Sequence, residues 1–449
     1  MATVSSFIMP FLVAAVNVAL PTMARDLNME AVVMSWVGTV YFLAIAIIQV
    51  PCGRLADIFG RRKMLIIGLG LTVIASFMAA FANSVPMLII SRAIQGVGAG
   101  MSFNNIIAIL TTIIPSEERG RALGISMAGT YLGLSLGPFI GGVLTRHFGW
   151  QSIFYISGIM CAILMGLVFR VLRREWTEAR GEKFDLVGAI AFGISIAVFM
   201  YGFSIVNTIT GIILVAVGII GFIFFVWWEN RVEHPVFNLQ IFRKNRVFVF
   251  SSLAALITYC STFAITFLLS LYLQYVKDFR PDEAGMVLIS ASVLMAIFTP
   301  VSGRISDRIE PRLVSSVGLL LNCVSLILLI FVGSGTALWY VILALVIYGI
   351  GIGLFSSPNS NAIMGSVEKR ILGVASGTLG TTRTAGMMLS MGIMMVLFSV
   401  YVGQSEITRE LYPEFLDSMR VGFIIFSVIG ALGLITQMAA RNVSHQKSS

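Results

Sequence analysis

The sequence predicts an all-α integral membrane protein made of two six-helix bundles with two additional helices between them. Three observations carry the prediction. Of 449 residues, 57% are hydrophobic and only 11% charged, with a mean hydropathy of +0.94, whereas soluble domains carry about 25% charged residues. The charged residues collect in short segments between apolar runs of membrane-crossing length. A five-residue stretch, Gly53-Arg54-Leu55-Ala56-Asp57, returns as Gly303-Arg304-Ile305-Ser306-Asp307, as two related halves would require.

Runs able to cross a hydrocarbon core of about 30 Å centre on residues 3–21, 35–52, 64–82, 86–114, 122–145, 152–169, 185–203, 209–228, 247–276, 283–302, 313–332, 337–363, 373–402 and 421–440. Lipid offers the backbone no partners, so each run is a helix. The first has no basic segment ahead of it and reads as a true span rather than a secretory signal. Its abrupt start leaves two alternatives, that a few residues precede it or that none do. The two copies of the repeat lie further apart than six short helices need, which marks 185–228 as an extra pair. The expected units are a first six-helix bundle over 1–172, the two additional helices with their flanking loops over 173–246, and a second bundle over 247–449.

Orientation follows from the basic residues. With the amino terminus inside, 22 of the 30 Lys and Arg fall in inner loops, six in outer loops, and two, Arg92 and Arg383, within spans. That bias places both termini in the cytoplasm of a cell (inner or plasma) membrane. The formal charge of +9 is spread over isolated loops rather than one face, so topology explains it and nucleic acid is not an expected partner. Cys52, Cys161, Cys260 and Cys323 lie in or at the ends of spans without metal-site spacing, and His147, His234 and His445 lie far apart in loops or the tail. Neither a metal nor a cofactor is expected.

Several stretches combine charge or glycine with regular spacing. Gly53-Arg54-Leu55-Ala56-Asp57-Ile58-Phe59-Gly60-Arg61-Arg62-Lys63 reads as a glycine turn with a basic loop. In the fourth run, Arg92, Gln95, Gly96, Ala99 and Phe103 share one helical face. A guanidinium keeps its proton and is costly in lipid, so Arg92 must face protein, water or a partner; bonding to neighbouring carbonyls for packing alone is the plainer alternative. In the fifth run Gly129, Gly133, Gly137 and Gly141 recur every four residues, with Pro138 and Gly142 beside them. They form a ridge without Cβ atoms against which another helix can lie closely.

The first of these stretches resembles the signature of the major facilitator superfamily, and the fold that this resemblance implies is the two-bundle architecture. The resemblance also implies a conformational latch on the cytoplasmic side, formed by Gly53, Arg54, Asp57, Gly60, Arg61 and Arg62 with Gly303 and Asp307 from the second copy. The stretch around Arg92, Gln95 and Gly96 resembles a second signature, of proton-coupled antiporters, in which this arginine is assigned to coupling. The Gly-Pro-x-x-Gly-Gly ending of the fifth run is similar to that of exporters, although packing alone also explains the ridge. Asn17-Val18-Ala19-Leu20-Pro21, His147-Phe148-Gly149-Trp150 and Gly349 through Asn359 look like the fourteen-span drug:proton antiporter branch. The resemblance covers nearly the whole chain.

In one place the chain departs from that branch. An aspartate a few residues before Asn17 is part of the branch pattern, and Leu12 stands here instead; all 21 acidic residues fall in loops or at span ends. A carboxylate in a low-dielectric cavity is the simplest group for binding a cation and a proton alternately. With Arg92 and Arg383 as the only in-span charges, a cavity should favour neutral or anionic substrates, and Asp26 and Glu30 at the outer mouth are the nearest counter-charges for a shallow cationic site. Candidate cavity residues are Asn17, Gln49, Phe103, Asn104, Tyr259, Gln274, Tyr348, Asn359, Asn361 and Arg383.

The expected function is secondary active export of small amphipathic or anionic compounds by a monomer, with protons as coupling ion on family grounds. The alternatives are an uncoupled or uptake facilitator of a metabolite, and a non-transporting membrane sensor or scaffold. No phosphate-cradling Gly-x-x-x-x-Gly-Lys-Ser/Thr loop occurs, which argues against a primary pump, and no nucleophile and base pair suggests an enzyme.

Overall fold

The structure is a computed structural model and describes residues 2–29, 31–206, 208–232, 235, 245–279, 281–402 and 411–440. Fourteen long helices run through it: α1 (Ala2–Asp26), α2 (Ala31–Phe59), α3 (Arg61–Ala80), α4 (Val85–Ile113), α5 (Arg119–Phe148), α6 (Gln151–Val171), α7 (Leu186–Ser204), α8 (Ile209–Glu229), α9 (Arg246–Leu271), α10 (Pro281–Ser306), α11 (Pro311–Ile330), α12 (Leu338–Gly365), α13 (Leu372–Tyr401) and α14 (Tyr412–Ala439). Each contains a stretch long and apolar enough to cross a membrane. Glu30, His234, Arg243, Lys244, Arg409 and the tail from Arg441 lie outside the described residues.

Ordinary sequence signals set the helix ends. Asp185, Thr208 and Asn245 accept from the backbone N–H three residues on and so cap α7, α8 and α9. Gly60 (φ 115°) and Gly149 (φ 77°) take conformations that disfavour any Cβ, and they break α2 from α3 and α5 from α6 within one or two residues. Two expectations need correction here. The stretch from Gly53 to Phe59 is no loop: α2 continues through it, and only Gly60 separates it from α3. The last span begins at Tyr412, two turns before residue 421, so Arg420 lies on a helix rather than in an outer loop. In both cases the apolar run stops at the first charge, while backbone hydrogen bonding carries the helix on.

The two halves repeat the same pairings. In the first, α1 packs on α5, α4 on α2 and α3, and α3 on α6; in the second, α9 packs on α13, α12 on α10 and α11, and α11 on α14. The halves meet along two seams, α2 against α13 and α5 against α10, while α12 also reaches α5 and α13 reaches α4. The extra pair breaks the symmetry. Helices α7 and α8 pack on each other, and α7 lies along α2 and α13, where Phe192, Ile196, Met200 and Phe225 share a core with Ala46, Val50 and Val374. One seam is therefore flanked by the additional helices and the other is not.

Candidate functional site

Two reciprocal contacts close one end of the molecule. Asp57 comes from the last turn of α2, and its carboxylate accepts from the backbone N–H groups of Gly373 (3.2 Å) and Val374 (3.4 Å) in the first turn of α13. Arg61, entirely buried, holds that carboxylate through Nε (3.1 Å) and Nη2 (2.8 Å) and donates onward to the Lys369 carbonyl (2.7 Å) and to Thr112 (2.5 Å). Asp307, just past α10, does the same for α5, accepting from Gly120 N (2.7 Å) and Arg121 N (2.9 Å). Each aspartate thus caps a helix of the opposite half, where orphan N–H groups and the helix dipole favour a negative charge.

Glycine permits the approach. A Cβ on Gly53 would stand 2.3 Å from the Gly373 carbonyl oxygen, and one on Gly303 2.2 Å from that of Gly120. The repeated stretch therefore encodes two features per half, a glycine for contact and an aspartate for capping. Arg62 lies over the Phe169 ring of its own half, and no contact of its side chain across the seam is found among the described residues. Arg54 pairs with Glu182 of the α6–α7 connector.

Above this end lies a polar band on the seams. Asn104 donates to the Gln49 carbonyl within the first half, and Ser376 of α13 donates to the Asn104 carbonyl at 2.8 Å. Gly377 and Gly380 let α13 close onto Gln49. On the other seam the Tyr131 hydroxyl of α5 and Ser356 Oγ of α12 are 2.6 Å apart. One turn along α12, Ser360 accepts from Arg383 Nη2 at 2.6 Å, and the guanidinium stands 5.5 Å from the centre of the Tyr259 ring. Tyr348 donates to the Thr262 carbonyl at 3.3 Å. Phe103 packs into the apolar cluster that includes Tyr259 and Leu379. Arg383 Nε, Gln49 Oε1, Asn104 Oδ1 and both polar atoms of the Asn359 side chain are buried without partners, an unusual concentration for a helical interior.

Not every sequence candidate joins this group. Asn361 donates to Ser306 (3.3 Å) near the capped end. Gln274 bonds Ser270 within its own segment, in the five-residue π turn after α9. Asn17 is exposed, with its Oδ1 3.9 Å from where Gly38 would carry a Cβ. Arg92 was expected to share a cavity with Arg383, but it is enclosed by its own half. It is 1% exposed, donates through Nε to the Val37 carbonyl (3.1 Å) and through Nη1 to Gln95 (2.6 Å), and lies 4.2 Å over the Tyr41 ring. Gln95 passes the chain to Ser76 on α3, and Gly96 lets α4 touch the Tyr41 carbonyl of α2. A buried cation bonded to a carbonyl and an amide in this way is a complete, if costly, structural arrangement.

The glycine ridge packs on α1. Added Cβ atoms at Gly129, Gly133 and Gly141 would meet the backbone of Thr3, Phe7 and Ala15 at 2.3, 2.4 and 2.6 Å, and one at Gly137 the Ala14 methyl at 2.6 Å. Gly142, with Val18 at 3.8 Å, is in ordinary contact, and α5 is continuous through Pro138. Leu12 is fully buried in an apolar cluster with Val37, Leu88 and Trp150. Asp26 accepts from Trp150 Nε1 at 2.9 Å and so joins α1 to α6.

Sequence reasoning missed Tyr131, Ser356 and Ser360, which complete the Arg383 environment. Their signal was present as i, i+4 pairs, Met127 with Tyr131 and Ser356 with Ser360, hidden within helices whose glycines drew the reading toward packing.

Among the described residues, twelve of the fourteen apolar helices form two equivalent halves with a polar band between them and two more lie beside one seam, an architecture of membrane transporters. The chain belongs to the major facilitator superfamily, whose family model matches residues 2–391 and 251–448. It is 30% identical over 392 residues to the riboflavin transporter RibZ of Clostridioides difficile, covering 87% of this chain and 84% of that one. It is also 30% identical over 412 residues to the multidrug resistance protein Stp of Mycobacterium tuberculosis, covering 89% and 74%. The solved proton:xylose symporter XylE shares the fold, with a TM-score of 0.69 at 14% identity over 97% of this chain and 93% of that one.

Proposed function

We propose that the chain is a secondary active exporter of small amphipathic or anionic compounds, working as a monomer in the cell membrane with both termini on the cytoplasmic side. Residues 1–172 and 247–449 rock against each other, 173–246 accompanies them, and the two aspartate caps form the cytoplasmic latch that opens when the transporter faces inward. The observation that carries the substrate reading is Arg383. Its guanidinium lies beside Tyr259 and is bonded to Ser360, whose hydroxyl also contacts Met127 of the first half, and among the described residues no carboxylate pairs with it. A flat compound can stack against Tyr259 while an acidic or carbonyl oxygen meets the guanidinium. Riboflavin, the compound for which RibZ is named, is planar and aromatic, and the name of Stp supports the export direction.

The test is flux of a planar aromatic anion in proteoliposomes with an imposed proton gradient. Transport is expected, and Arg383→Gln is expected to weaken it about tenfold to hundredfold, the scale of one charge-assisted hydrogen bond. Undiminished flux in that variant refutes the assignment. A second reading, transport without a coupled proton, is favoured by Leu12, which stands fully buried among apolar side chains where the antiporter pattern has an acid. Flux that survives collapse of the gradient supports it. In Leu12→Asp, a new proton dependence or new export of cations identifies the missing coupling group.

A further inference from the structure

The connector between α6 and α7 contains none of the residues assigned above to the latch, yet it lies directly on it. Glu175 accepts from the backbone N–H groups of Arg62 (2.8 Å) and Lys63 (3.2 Å) and caps α3. Arg61 N donates to the Trp176 carbonyl at 3.1 Å, and Ala179 N to the Asp57 carbonyl at 3.0 Å. Three residues later Glu182 divides its carboxylate between the halves. Oε2 accepts from Arg54 of α2 at 2.5 Å, and Oε1 accepts from Arg370, in the turn that leads into α13.

We propose that Glu182 is a positioning residue of the transport cycle, a clamp that holds the latch shut by pairing with one arginine from each half. It rests on the alternating-access reading given above. The two pairs are unequal. Arg54 is 8% exposed and Glu182 15%, whereas Arg370 is 59% exposed, so water and salt weaken the Arg370 contact first. Opening therefore leaves the connector on the first half and releases Arg370 with the second. Because the same connector leads into α7, which lies along the α2–α13 seam, the clamp also ties the state of the latch to the position of the central pair.

The experiment measures the latch without substrate. Spin labels at Ser116→Cys and Arg308→Cys, both exposed and flanking the Asp307 cap rather than Glu182, report separation of the halves in a protein with Cys323 replaced by Ser. Glu182→Gln is expected to raise the separated population about two- to fivefold, the effect of losing such ion pairs. Arg370→Gln should raise it comparably in the parent protein and add nothing in Glu182→Gln. An unchanged distance distribution in Glu182→Gln, or additive effects of the two substitutions, overturns the clamp. A fall in Tm without any change in distances also overturns it, since that is the behaviour of a merely structural residue. If the distances shift as expected but the parent protein carries no flux, the clamp stands and the transport reading fails.

Discussion

Two of the buried arginines, Arg92 and Arg383, occupy comparable settings and differ in how fully their own half satisfies them. Arg92 and Arg383 each lie over a tyrosine ring in a membrane-spanning helix. Arg92 is held by the Val37 carbonyl and Gln95, with the chain ending on Ser76, all within the first half. Among the described residues Arg383 has one serine partner and leaves Nε unpaired, and that serine, Ser360, also contacts Met127 Sδ of the first half at 3.9 Å. A charge completed by its own half can only hold that half together, whereas one left incomplete next to the junction of the halves has capacity for a ligand.

The comparison breaks most visibly if the roles are exchanged by mutation. Arg92→Gln should lower stability by about 1–3 kcal/mol, because the Val37 carbonyl and Gln95 amide lose a charged donor, and should change substrate affinity little. Thermal unfolding of the purified protein against substrate titration separates the two effects. A loss of affinity as large as that of Arg383→Gln would erase the distinction. Of similar or smaller size is the effect of a Cβ at the glycine ridge. Gly133→Ala forces an atom to 2.4 Å from the Phe7 carbonyl oxygen and should cost about 1–3 kcal/mol, while Gly142→Ala, in open contact with Val18, should be nearly neutral. Comparable Tm values for the two variants would show that α1 and α5 do not pack as described.

The smallest expected effect is one of pH. Partial burial pushes the Glu182 carboxyl up, but hydrogen bonds and charge from Arg370 and Arg54 outweigh it and hold it below the ordinary value of 4.5. A depressed carboxylate contributes fully above 4.5 and loses its contribution as pH falls through its own lower value. Titration of Glu182 should therefore leave the latch unchanged near neutrality and contribute to its loosening only in acid below that range, as the difference in spin-label distances between the parent protein and Glu182→Gln against pH would report. Loosening between pH 6 and 8 would require another group.

Much of this was legible in the sequence because hydrocarbon imposes a strict rule: a run of about 20 apolar residues must be a helix. All fourteen spans could be placed that way, and the repeat at Gly53 and Gly303 marked the halves. The repeat did not reveal that each aspartate caps a helix of the other half, since capping across a seam leaves no periodicity behind. The Arg383 environment was half legible. A lone intramembrane cation is conspicuous, but Tyr131, Ser356 and Ser360 are small or amphipathic residues that membrane helices also use for packing. Glu182 was the least visible, being one acid in a mixed-charge connector until the fold brings Arg54 and Arg370 to either side of it.

The central claim is that Arg383 receives the substrate, and the most direct test is binding of matched aromatic compounds, anionic, neutral and cationic, followed through the Tm of the purified protein. The account predicts that anions stabilise most, that cations stabilise least, and that Arg383→Gln removes this order while Arg92→Gln preserves it. Equal stabilisation by cations, or an unchanged order in Arg383→Gln, would contradict it.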